Sequence, residues 1–151
     1  MKKTTRLYNI ILPIWLLVLV PQVWLITVPG NLIIDCAVLL LALLVLKHPQ
    51  KKAVLKKLWW RFWLLGFAAD AVGVVWMFLP VLAEYVISNP FKHPAAFVWT
   101  LIGVALAGVC IYFFDKRAMR SCALLTDRQK HIIALTMAIV TAPWLFFIPM
   151  Y

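Results

Sequence analysis

The chain has 151 residues, 66% of them hydrophobic, and a mean hydropathy of +0.97. Soluble domains hold roughly 45–50% apolar residues, so an ordinary water-soluble fold is excluded. The net charge of +10 is carried by residues that flank apolar runs, which points to anionic lipid headgroups as partners and away from nucleic acid.

Residues 7–28 read as a first membrane span, long enough to cross a hydrocarbon core of about 30 Å. Lys2, Lys3 and Arg6 precede it in the manner of a signal peptide. The apolar run exceeds the roughly 7–15 residues of a signal core, and no small-residue cleavage site follows, so an uncleaved helix is expected. Pro29, Gly30 and Asn31 are expected to turn the chain on the outer side, with Asn31 capping a second, short span over 31–46. The basic stretch 47–57 either lies along the inner headgroups or extends the next helix inward. A third span is predicted over 58–87, with Trp59, Trp60 and Trp63 as interfacial anchors. Ser88, Asn89 and Pro90 end it, and a fourth span covers 95–114. Thr126 followed by Gln129 three residues later is a capping-box pattern that starts a fifth span over 130–150.

With these five spans, every one of the fifteen Lys and Arg residues except Lys92 falls on one face. This is the positive-inside pattern. The expectation is therefore an all-α, polytopic integral membrane bundle forming one domain over 1–151. It would have five transmembrane helices, the N-terminus inside and the C-terminus outside, and it fits a bacterial cytoplasmic membrane. Four spans result instead if the short second run is re-entrant.

Ionisable groups at membrane depth are costly and by default mark a functional site. Asp70 lies roughly 18 Å from the inner boundary by helical rise, with no basic residue at its depth. Gly66, Ala69 and Gly73 share its helical face and allow another helix to approach closely. Asp35, just after Asn31, reads as an acid near the outer helix start. Asp115 and Asp127 are assigned to the inner loops as solvated partners of Lys and Arg, and Glu84 to the headgroups.

Pro21, Pro80 and Pro143 each fall in the outer half of a span and free the carbonyls of Leu17, Trp76 and Ile139. Gln22 and Thr141 lie beside two of these prolines. Asp70, Asp35, Gln22, Thr141 and Asn31 are thus the candidate polar site, an outward-facing pocket in the outer half of the bundle. The competing view is that proline is tolerated there and the polar groups only join helices.

Gly103, Ala107 and Gly108 form a small-residue face that can dock the third span, a second copy of the chain or a protein partner. Cys36, Cys110 and Cys122 read as packing or loop residues. His48, His93 and His131 stand at no metal-ligand spacing, and no nucleotide-binding or hydrolase motif is present, so neither metal nor cofactor is expected. The sequence accordingly reads as a small structural or accessory membrane protein and not an enzyme. A transporter of protons, cations or small solutes built around Asp70 is the first alternative, and a membrane-embedded enzyme using Asp35 and Asp70 the second.

Overall fold

The apolar runs fold as helices in a computed structural model of the chain, in which residues 20–149 are described. The helices are α1 (Pro21–Val45), α2 (Lys51–Phe78), α3 (Pro94–Ala118) and α4 (Asp127–Val140). Tight 3-10 turns extend α2 over Leu79–Ala83 and α3 over Met119–Ser121, and another follows α4 at Trp144–Phe147. With these extensions, all four are long and apolar enough to cross a membrane. No strand occurs among the described residues.

The expected turn at Pro29, Gly30 and Asn31 is corrected, because α1 runs unbroken through all three. An interior proline removes a single helical hydrogen bond, and a membrane helix accepts that loss when neighbouring groups compensate. Asn31 consequently caps nothing, and its side chain points sideways to another helix. The described residues carry four span-capable helices where five spans were expected. Most of the expected span over 7–28 lies outside the described residues, as do Leu17, Lys2, Lys3 and Arg6. Pro21 opens α1 at a position where its missing amide costs nothing.

Helix ends follow their local chemistry. The amide of Lys47 donates to Leu44 O and that of His48 to Leu43 O, each at 3.0 Å. Lys47 itself is left-handed at φ 49°, so α1 closes in a Schellman motif before Pro49. The basic stretch does extend the next helix, since α2 begins at Lys51. Val54 and Leu58 are buried there while Lys52 and Lys56 stay exposed, as a 3.6-residue period requires. At α4 the capping box forms as expected: Gln129 N donates to Thr126 Oγ1 at 3.3 Å, and Thr126 N donates to Gln129 Oε1 at 3.0 Å.

Each helix packs against the next, and α1 also touches α4, closing a ring. Helices α2 and α3 approach closely, and a Cβ on Gly73 would lie 3.3 Å from both Gly103 O and Ala107 Cβ. The small-residue faces of these two helices thus meet each other inside the chain. The two basic connections share one end of the bundle. His48 Nε2 donates to Leu124 O at 2.9 Å while its Nδ1 accepts from Gln50 N, a pairing that fixes the ring tautomer. Lys57 Nζ donates to Ser121 O at 2.9 Å, and Arg61 donates to Ser121 Oγ at 2.8 Å.

The outside of the bundle is apolar. Leu25 is 80% exposed, Val45 82% and Leu82 74%. Water penalises such a surface and lipid does not. The chain is read accordingly as a multi-pass membrane protein.

Candidate functional site: an acidic core between three helices

Buried stripes at helical spacing place the site. On α3, Ala96, Thr100, Gly103, Ala107, Ile111, Asp115 and Ala118 are all buried. Asp115 therefore points inward with its apolar neighbours, and only 1% of it is exposed. Its expected place as a solvated loop acid is corrected. The helix continues past it, and the stripe begun at Gly103 and Ala107 reaches it two turns later.

On α1, Val28, Asn31 and Asp35 share a face, and on α2 so do Trp63, Gly66 and Asp70. The two faces meet. Trp63 Nε1 donates to Val28 O at 3.1 Å, and Asn31 Nδ2 donates to Asp70 Oδ2 at 3.4 Å. Asp35 Oδ2 lies 3.3 Å from where a Cβ on Gly66 would stand, so glycine at that position leaves room for the carboxyl group. Asp35 is 7% exposed, buried well inside α1 and not at a wet helix start as expected. Since α1 begins at Pro21, the carboxyl group stands about four turns into the helix.

Three carboxyl groups from three helices are thereby gathered. Asp35 is within electrostatic reach of both Asp70 and Asp115. Among the described residues no countercharge joins them: the one ion pair links Lys130 to Asp127 at 3.3 Å, on the surface. Arg61 is spent on Ser121 Oγ and the Ala118 carbonyl. Asp70 Oδ1 and both carboxyl oxygens of Asp115 are buried and accept no hydrogen bond from a described residue. Buried polar atoms are ordinarily paired, so three such oxygens in one region single it out. Among the described residues, no three His, Cys, Asp or Glu side chains converge closely enough to hold a metal ion.

Of the five candidate residues, Asn31, Asp35 and Asp70 come together. Gln22 is exposed in the first turn of α1, about 13 Å along the axis from Asn31. Thr141 Oγ1 donates at 2.8 Å to Met137 O in its own helix. The carbonyls freed by Pro80 and Pro143 are taken by tryptophan and do not open toward Asp70. Trp99 Nε1 donates to Trp76 O at 3.3 Å, Trp76 Nε1 returns a bond to Trp99 O at 3.0 Å, and the two rings stack at 4.4 Å. Trp144 Nε1 donates to Ile139 O at 2.8 Å. Indole N–H groups thus satisfy the carbonyls freed by Pro80 and Pro143.

No family model matches the chain, and comparison with curated proteins and with solved structures found no similar protein.

Proposed function

We propose that this protein moves protons across a membrane, by itself or coupled to a solute, through the acidic core of Asp35, Asp70 and Asp115. One observation carries the reading: among the described residues, three buried carboxyl groups on three spanning helices have no basic partner, and three of their oxygens accept no hydrogen bond. An acid kept for structure alone would be expected to have its bonding satisfied, because an unmet buried polar atom costs about 1–3 kcal/mol. A proton suits the arrangement better than a metal ion, since the carboxyl groups do not converge on one point. By the positive-inside rule the end bearing Lys51, Lys52, Lys57, Arg117 and Arg120 faces the cytoplasm. Asp115, near that end, and Asp70, deeper in the bundle, would then be successive stations for a proton.

The structural or accessory role is a second reading, favoured by the Asn31–Asp70 bond joining α1 to α2. Asp70→Asn separates the two. With the protein reconstituted in liposomes containing a pH-sensitive dye, the wild type is expected to collapse an imposed pH gradient. The variant should fall to the rate of protein-free vesicles while keeping its elution profile and helical content. Undiminished flux in Asp70→Asn would remove Asp70 from the path.

A further inference from the structure

A second feature stands apart from the acidic core. A groove of about 410 Å³ runs between α3 and α4, and the small residues Ala105, Gly108, Ala138 and Ala142 are among those that line it. It is concave because small residues coincide on both helices: a Cβ on Gly108 would stand 3.2 Å from Ala138 O. Along α3 it extends from Leu101 to Phe113, about 18 Å by helical rise. One leaflet of a hydrocarbon core about 30 Å thick has nearly that depth.

The groove ends at a polar lip. Tyr112 OH bonds His131 Nδ1 at 2.8 Å, and Lys116 Nζ donates to Tyr112 OH at 3.1 Å. Beside this lip, Lys116, Arg120, Lys130 and Asp127 line a second pocket of about 430 Å³. Asp127 is already paired with Lys130 at 3.3 Å, which leaves an excess of positive charge facing outward. Apolar length, charge and position therefore follow one another in the order of a phospholipid: a chain one leaflet deep, then an anionic headgroup at the membrane surface.

We infer that α3 and α4 form a specific binding site for an anionic phospholipid, with one acyl chain in the groove and the phosphate at Lys116, Arg120 and Lys130. Basic pockets beside spanning helices recognise such headgroups by charge, and the groove adds shape. Proton movement through the acidic core is not required for this site, so either inference can fail without the other.

Native mass spectrometry of the full chain in an uncharged detergent tests it, with dioleoyl-phosphatidylglycerol and dioleoyl-phosphatidylcholine as probes. Phosphatidylglycerol should be retained on the order of ten-fold more strongly. The pair Lys116→Gln and Arg120→Gln should erase that preference. The pair Lys51→Gln and Lys52→Gln removes the same charge elsewhere at that end and should keep it. Ala105→Trp, or Val109→Trp on the exposed wall, fills the groove and should weaken both lipids. Equal retention of the two lipids, equal loss in the control pair, or full retention with both groove-filling variants would overturn the site. So would complete displacement by inorganic phosphate, which would assign the pocket to a free anion. A lipid-free dimer that the groove-filling variants abolish would assign the groove to a second copy.

Discussion

Asp115→Asn is expected to abolish proton flux in reconstituted vesicles, a loss of ten-fold or more, while changing folding stability by no more than about 1 kcal/mol. The amide nearly matches the carboxyl in volume, so the packing around this 1%-exposed residue is retained. What disappears is the capacity to bind and release a proton within reach of Asp35. Asp127→Asn is the matched control: that acid is fully exposed and paired only with Lys130, and its removal should leave flux unchanged. Flux assayed against an ionophore-calibrated maximum, alongside thermal unfolding of the same preparations, separates loss of function from loss of fold. If Asp115→Asn and Asp127→Asn conduct equally well, Asp115 is not a station on the path.

The largest effect on stability is expected from Gly73→Leu. Even a Cβ here would lie 3.0 Å from Phe146 Cε2 and 3.3 Å from both Ala107 Cβ and Gly103 O. The Phe146 ring can move, but the carbonyl of Gly103 belongs to the backbone of α3 and cannot yield without parting the helices. Overpacking of this kind costs about 1–3 kcal/mol, and more where backbone is displaced. Thermal unfolding in detergent should show the loss as a lowered midpoint. Gly30→Ala offers the contrast, since nothing lies within 4 Å of its added Cβ. Alanine is favoured over glycine in a helix by about 1 kcal/mol. A midpoint for Gly73→Leu no lower than that of Gly30→Ala would contradict the close α2–α3 contact.

The long apolar runs make the helical membrane architecture legible, and the Thr126–Gln129 pattern marks the N-terminus of α4, which begins at Asp127, three residues before the expected span. The small residues around Asp70 and on α3 correctly indicated where helices approach. Pro29, Gly30 and Asn31 form turns in water, yet α1 continues through them. Within lipid a helix that continues keeps its backbone bonds, whereas a turn must find new partners. Pro80 and Pro143 do free carbonyls as expected, but the fate of those acceptors depends on which tryptophans arrive from elsewhere in the fold, and Pro21 opens a helix and does not interrupt one. Asp115 differs for another reason. Its neighbours Lys116 and Arg117 suggest a loop, whereas its phase with Ile111 and Ala107 points inward. Helical phase, and not adjacency in sequence, governs burial.

Reaction of the reconstituted protein with dicyclohexylcarbodiimide, an apolar reagent that modifies carboxyl groups within membranes, tests the proton path through the acidic core most directly. Peptide mass spectrometry locates the adduct, and proton flux is read from the same vesicles. The expected result is modification at Asp35, Asp70 or Asp115, with flux lost in proportion to the modified fraction. Full flux from protein modified at these residues, or adducts confined to Glu84 and Asp127, would contradict it.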